Sequence, residues 1–414
     1  MRKIIRIPEK GQAIIYLVIG MVVFFGFVAL AIDGGMALAD RRNAQNVADS
    51  ASLAGGGNAA NLMEDTGVTT ANWNCSSNPN ILSAINLAES TAISRAAANG
   101  FTITDDLLQH NGVSASCGSF DYGWYLDSYI DVTVEISSTS DSNFLQLVYP
   151  SALHNEVEAV TRIRPRQPAA FGNAIIALNP ATCLGQQNGA IFSGNSNIQV
   201  TGGGIFSNGC LSGNGTPTVN VIGAGIYGHY IEGSDLFTPA PQQTTYSIPA
   251  SAYDAPLPDC SNPNAHNVAQ LPQDLEPGLW CLTGDLKING GVTNGTGVTI
   301  YVPNGSVTFN GNASIHLSAP ENTAASSPAI PGILFYLPKE NSNMVKINGT
   351  ADSYFIGTIL APGASIQING TSYTEAYHTQ VIGWNVELSG TADTYVTYDD
   401  KEQYGLPTSI ELAK

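Results

Sequence analysis

Leu286-Lys287-Ile288-Asn289-Gly290 and Val307-Thr308-Phe309-Asn310-Gly311 share one pattern: two β-formers separated by a polar residue, a further residue, then Gly. It recurs at Ile198-Gln199-Val200-Thr201-Gly202, Val219-Asn220-Val221-Ile222-Gly223, Val345-Lys346-Ile347-Asn348-Gly349, Ile366-Gln367-Ile368-Asn369-Gly370 and Val386-Glu387-Leu388-Ser389-Gly390. Alternation places the β-formers on one face of a short strand, and the Asn-Gly corners supply tight turns. The closing glycines are 21, 67, 21, 38, 21 and 20 residues apart. A step of 20–21 residues matches one coil of a parallel β-helix, whose strands stack on those of the next coil. The 38-residue interval reads as a near-doubled step, and the 67-residue interval as a step holding an insertion. Second strands at 189–192, 204–206, 298–302, 333–336 and 357–360 would form another wall. An antiparallel β-sandwich is the competing architecture, but it requires no constant step.

The insertion, about 231–278, carries eight prolines from Pro239 to Pro277 and reads as a surface excursion tied down by Cys260 and Cys281. The cysteines number six: Cys75, Cys117, Cys183, Cys210, Cys260 and Cys281. An even number in a chain expected to face an oxidising compartment implies disulfides. Of fifteen possible pairings, the neighbour pairing 75–117, 183–210 and 260–281 is the economical one. No C-x-x-C is present, so zinc ribbons and thioredoxin-like chemistry lack their spacing.

Upstream, residues 13–32 form an uncharged apolar run of twenty residues. At about 1.5 Å per residue it matches the roughly 30 Å hydrocarbon core as one helix. Arg2, Lys3, Arg6 and Lys10 precede it, so the positive-inside bias keeps residues 1–12 cytoplasmic and sends Asp33 and everything after it across. A cleaved leader has an apolar region of about 7–15 residues, shorter than this run, so the helix is expected to be retained. Residues 33–60 are rich in Ala and continue the helix until Gly55-Gly56-Gly57 ends it, with Ala44, Ala48, Ala51 and Ala54 offering a close-approach face for lateral packing or for the domain that follows. Residues 61–166 read as a small α+β unit: a helix near 81–99, a strand over 129–136 and another near 156–163. Arg162, Arg164 and Arg166 then read as a solvated linker to a β domain over 167–400, with 401–414 as a tail.

Gly11, Gln12, Asp33 and Gly34 flank the apolar helix, and Gln45, Asn46, Ala48, Asp49, Ala51, Leu53 and Ala54 follow a basic pair. This arrangement resembles the N-terminal segment of TadG-like proteins of tight-adherence (Flp) pilus assembly. Val157-Glu158-Ala159-Val160-Thr161 is similar to a strand in TadE- and TadG-like proteins. The phrases Pro277-Gly278-Leu279-Trp280-Cys281, Gly297-Val298-Thr299-Ile300-Tyr301 and Gly357-Thr358-Ile359-Leu360-Ala361-Pro362 resemble the distal portion of some TadG-related proteins. The fifth residue past Gly11 is Tyr16 where a type IV prepilin carries Glu, which argues against prepilin-type processing. Asp49-Ser50-Ala51-Ser52 lacks the D-x-S-x-S spacing of the von Willebrand-type metal site that some tight-adherence proteins carry.

Fifteen Lys and Arg against thirty-three Asp and Glu give a net charge of −18, and only Lys287, Lys339, Lys346, Lys401 and Lys414 are basic beyond position 166. Nucleic acid is therefore excluded as a partner, since it demands phosphate neutralisation. The distal region has no Arg to polarise a uronate, as a polysaccharide lyase would need. Asp352, Glu375, Glu387, Asp393 and Asp399 are candidates by residue type for a glycosidase pair. The six histidines, His110, His154, His229, His266, His316 and His378, show no zinc-protease spacing.

The expected fold is mixed: an N-terminal transmembrane, pilin-like α-helix, a small α+β domain, then an all-β, parallel β-helix-like solenoid. The expected protein is a single-pass bacterial membrane component with extracytoplasmic domains, structural or adhesive, without catalytic, metal or cofactor residues. The partners implied by the resemblance are the membrane, other pilus-assembly proteins and, for an adhesive surface, a glycan. A membrane-tethered carbohydrate-active or glycan-binding β-helix is the alternative.

Overall fold

The computed structural model describes residues 12–121, 125–141, 144, 152–184, 188–321, 328–348, 352–370 and 376–413. The basic flank, Gly11, the closing Gly349 and the carboxylate of Glu375 lie outside the described residues. The chain divides into two units, Met1–Arg166 with Pro407–Lys414, and Gln167–Leu406.

In the first unit α1 (Gln12–Asp65) and α2 (Pro79–Ala98) precede strands β1 (Gly112–Asp121), β2 (Leu126–Ser140) and β3 (Leu153–Arg164). Asn78 caps α2 by accepting the Asn80 N–H, with Pro79 in the first turn. Ile81, Ala84, Ala88, Ala92 and Ala96 recur every three or four residues and form its buried stripe. β2 pairs antiparallel with β1 and β3. Its Ile130, Val132, Val134 and Ile136 point into the core, as the alternation predicts. β1 has only a faint version of it, with Gly112, Ser114, Ser116 and Gly118 alternating with the small Val113, Ala115 and Cys117, and Cys117 is bonded to Cys75.

Three sequence expectations fail here, each for a long-range reason. The predicted stop at Gly55-Gly56-Gly57 does not occur, and α1 runs on to Asp65. A Cβ on Gly55 would lie 2.6 Å from the Ala88 carbonyl oxygen, and one on Gly56 2.7 Å from Thr161 Cγ2. These glycines let α2 and β3 reach the backbone of α1. The arginine-rich stretch is not a solvated linker, because β3 extends to Arg164. Arg162 forks onto Asp131 at 2.8 and 2.7 Å and lies 3.9 Å over the Tyr129 ring. Arg164 holds Asp127 at 2.9 and 3.2 Å and Glu411 at 2.7 Å. Burial works against the Arg164 charge, but those bonds outweigh it and raise its pKa; the bond to Asp131 raises that of Arg162. Finally, the chain does not end in a tail. Ser409–Leu412 is a strand that pairs antiparallel with β3, completing a four-stranded sheet across the whole second unit in sequence.

The second unit is built of parallel strands joined along three ladders. In the first, Trp280, Ile300, Phe335, Ile359, Val381, Ile175, Ile205 and Ile226 are successive partners. In the second the succession is Leu286, Val307, Val345, Ile366, Val386, Ala190, Leu211 and Ile231. In the third it is Leu275, Gly295, Leu317, Phe355, Tyr377, Val396, Val200 and Val221. Nearly all these side chains belong to one apolar core. Phe335, Phe309, Phe355 and Tyr377 follow one another through it with ring centroids 5.6 to 5.7 Å apart. The Asn of the repeat pairs along the outside, Asn310 to Asn289 and Asn369 to Asn348.

The ladders correct the reading of the repeat intervals. Val307 and Val345 are direct partners, so the 38-residue interval is one step lengthened by a detour, not two. The copies at 198–202 and 219–223 lie in the third ladder and the other five in the second, because an inward–outward alternation closed by Gly suits either wall. The 67-residue interval is no local step at all. The chain enters the ladders at Asn173–Ala177, in their interior, proceeds to Ile226–Glu232 at one end, and resumes at Gly278–Leu282 near the other.

Residues 239–277 carry it back, so the Pro-rich segment is a strap along the ladders and not an excursion. Thr244 N–H donates to Gly228 O at 3.0 Å. Ile248 N–H donates to Asn208 Oδ1 at 2.8 Å, and Asn208 Nδ2 returns a bond to Ile248 O at 3.2 Å. Tyr404 donates to Asp254 O and Tyr336 to Ala255 O, both at 3.1 Å. Burial pushes the Tyr336 phenol up to about 12, so it remains a donor through the physiological range. Cys260–Cys281 fixes the far end.

Replacing Gly55 by Val should destabilise the first unit by about 1–3 kcal/mol through overpacking. Replacing Gly57, whose Cβ would meet nothing within 4 Å, by Ala should stabilise it by roughly 0.5–1 kcal/mol; denaturant titration checks both. Ile368, fully buried between Ile347 and Leu388, should lose about 2–5 kcal/mol on replacement by Ala, with hydrogen exchange accelerating in the adjoining strands. His110 Nδ1 lies 2.8 Å from Glu135 Oε2, and that bond raises its pKa above 6.5. Its contribution to stability is complete below the unfolded value and fades as pH rises through the folded one. An NMR titration should place the His110 midpoint above 6.5, and Glu135→Gln should bring it down.

Candidate functional site

The residues of the signature lie on α1, and the helix divides them by environment. From Ile14 to Ile32 its side chains are almost all exposed, Ile14 at 69 %, Phe24 at 64 % and Phe27 at 68 %. An exposed surface of this size and apolarity is foreign to water. The helix is long and apolar enough to cross a membrane.

At Asp33 the surroundings change. Asp33 is 1 % exposed and accepts the Phe144 N–H at 3.0 Å. Two turns on, Asp40 accepts Ser138 Oγ at 2.5 Å and Asn155 Nδ2 at 2.8 Å, and so clasps the end of β2 and the start of β3. Gln45 Nε2 donates to Asp49 Oδ1 at 2.8 Å and to Glu158 O at 3.1 Å, linking two signature residues to β3. Ser52 and Thr161 share a buried bond of 2.9 Å. Between these polar ties Ala44, Val47, Ala48 and Ala51 are buried, and their small side chains bring α1 close to the sheet.

Of the two uses expected for the alanine face, packing within the first unit is the one seen for Ala44, Ala48 and Ala51; Ala54 is half-buried. Asn46 and Leu53 are exposed on the opposite side, and Gly34 is half-buried. The backbone of Gln12 starts the helix. Sequence reasoning missed Asp40 and Glu89, whose Oε1 accepts the Ala115 N–H at 2.9 Å. Both look like ordinary helix-surface acids, and only the arrival of a strand end gives them partners.

The cysteines form Cys75–Cys117, Cys183–Cys210 and Cys260–Cys281, the neighbour pairing. The candidate carboxylates of the second unit hold the chain locally. Glu387 accepts from Ser193 and Gln367, each at 3.3 Å; Asp393 accepts the Asn197 N–H at 2.9 Å; Asp352 accepts from Ser314 Oγ at 2.7 Å; Asp399 accepts the Lys401 N–H at 3.0 Å. His316 stacks on Tyr354 and bonds Asn294 Oδ1 at 3.0 Å, while His266 stacks on Trp280. Among the described residues no three His, Cys, Asp or Glu side chains converge as a metal site would require.

No curated protein and no solved structure matches the chain. A family model does, and it covers the part of the molecule in which an exposed apolar helix passes into a helix clasped by a small sheet. Residues 11–60, the exposed apolar stretch of α1 and the clasped stretch after it, match the Flp pilus-assembly TadE/G-like family model.

Proposed function

We propose that the chain is a single-pass membrane component of a Flp pilus-assembly system, its N-terminus cytoplasmic and both units outside, with the second unit serving as a structural or adhesive surface. The observation that carries this reading is the coincidence of the family match over 11–60 with the environment of α1, apolar and exposed to Ile32 and clasped from Asp33 onward. The family supplies the association with other pilus-assembly components, and the basic flank supplies the orientation.

The second unit is read as a parallel β-helix-like scaffold, supported by three ladders that keep inward residues in register. Its outward positions include Lys287, Thr308, Lys346, Gln367 and Glu387 along the second ladder and Asn294, His316 and Tyr354 along the third, a mixture of hydrogen-bonding and aromatic groups suited to a ligand such as a glycan. We take it to be a non-catalytic surface: its carboxylates are occupied in holding neighbouring strands.

Deleting the gene is expected to abolish Flp pilus display and surface adherence, and re-expressing the full chain to restore both. Protease added to spheroplasts should remove a C-terminal epitope and spare an N-terminal one. Unchanged pili and adherence in the deletion strain would sink the reading. Glu387→Ala should leave adherence intact, whereas a glycan-cleaving activity of the purified chain that disappears in this variant would put an enzyme in place of the scaffold.

A further inference from the structure

Past the end of its apolar run α1 has two faces of different character. A helix turns about 100° per residue, so residues two apart lie about 200° around from each other. Asp33, Asp40, Ala44, Val47 and Ala51 follow one side of α1, and Gly35, Leu38 and Arg42 follow the other. The first set is the side that the sheet covers: Asp33, Ala44, Val47 and Ala51 are buried, and Asp40 holds Ser138 and Asn155. The second set is open. Leu38 is 59 % exposed, against 61 % for Leu30 within the run, and Gly35 and Arg42 are exposed as well.

The two faces therefore reach their first charge at different heights. On the sheet side it is Asp33, whereas the open side stays uncharged through Gly35 and Leu38 until Arg42. Leu38 stands about 7.5 Å beyond Asp33 along the axis, and Arg42 about 6 Å further. An open leucine that prolongs a fully exposed apolar surface is foreign to water and at home in lipid. An arginine at the end of such a face has a phosphate within its chemistry, because its guanidinium forks onto phosphate oxygens while its aliphatic stem lies along apolar surface. Helical side chains slant towards the N-terminus, which aims Arg42 back at the run. Among the described residues Arg42 takes part in no ion pair, and the nearby Asp40 is occupied by the strands.

We infer that the open face of α1 enters the bilayer as far as Leu38, with the Arg42 guanidinium on a phospholipid phosphate. A bilayer surface that meets a helix of about 10–12 Å diameter at Asp33 on one side and Leu38 on the other corresponds to a lean of roughly 35°. The open face is the underside of the leaning helix, so the sheet, on its upper side, is carried clear of the headgroups. The inference rests on the reading of α1 as a membrane span.

All six cysteines are in disulfides, so a single added cysteine can be labelled selectively. The full chain in nanodiscs containing phosphatidylglycerol would carry an environment-sensitive fluorophore at Phe24→Cys, Leu38→Cys or Asn46→Cys, the last exposed about two turns beyond Leu38. Quenching by lipids spin-labelled near the headgroup or deep in the acyl chain is then measured. The probe at 24 should be quenched by the deep label and the probe at 38 by the shallow one; the probe at 38 should also emit to the blue of that at 46, which neither lipid quenches. Arg42→Glu, which sets like charge against the phosphate, should cost the probe at 38 its shallow quenching and leave the probe at 24 unchanged. If 38 behaves like 46 while 24 is quenched, the inference fails and the span stands. A blue-shifted probe at 38 that neither lipid quenches means that protein covers this face, and also overturns the inference. Shallow quenching at 38 that survives Arg42→Glu in full overturns the contact with phosphate. An unquenched probe at 24 removes the span and the inference with it.

Discussion

The antiparallel pair between Gln167–Pro168 and Gly405–Leu406 is the constraint from which the second unit's topology follows. A unit inserted between two neighbouring strands of a sheet, β3 and Ser409–Leu412, must begin and end in the same place. Parallel ladders advance in one direction only, so a chain that started at one end of them would finish at the other. The molecule resolves this by starting inside the ladders, running out to one end, and returning along the outside to the other end. The first and last strands then lie side by side, with Val381 against Ile175 and Val386 against Ala190.

Between its short ladder segments at Gln242–Gln243, His266–Val268 and Asp274–Leu275, the return strap has to satisfy its backbone by other means. It does so with side chains, Asn208 for Ile248 and the hydroxyls of Tyr404 and Tyr336 for the carbonyls of Asp254 and Ala255, while Ile248, Ala252 and Ala255 are buried. Its prolines remove donors that would have lacked partners and keep the segment extended. Together with the short segments at each end, the strap also covers part of the strand edges that would otherwise invite pairing with other chains. In the first unit a related economy is visible in α1: one continuous helix meets two environments, and the transition is marked by Asp33, the first residue of α1 whose carboxylate is held by the sheet hairpin.

Local and periodic features of this fold were legible in the sequence. The alternation of Ile130, Val132, Val134 and Ile136, the inward pairs of the repeat, the apolar length of the helix and the cysteine neighbours all report on structure within a few tens of residues. What escaped is decided by distant partners. Gly55 and Gly56 look like helix breakers until Ala88 and Thr161 are seen against them. Arg162 and Arg164 look like a linker until Asp131, Asp127 and Glu411 are brought opposite. The order of strands along the ladders is invisible because the same five-residue pattern fits any position. For the candidate site, the signature residues were legible as a set, but the acid that clasps the hairpin, Asp40, was not.

Starting inside the ladders has a consequence for the order of events during synthesis. The strands at 173–201 emerge first, yet one of their two neighbours, 377–397, is made about two hundred residues later. Until then Ile175, Ala190 and Val200 have an open flank, and the nascent unit presents an unpaired parallel edge while the rest is being made. Closing that flank is a contact of long sequence separation, which is intrinsically slow. The last strand of the first unit, Ser409–Leu412, comes later still. The second unit's flank closes only with 377–397 and the first unit's sheet only with 409–412, so a chain interrupted between residues 201 and 377 keeps open edges in both units, a form that protein quality control can tell from the finished molecule.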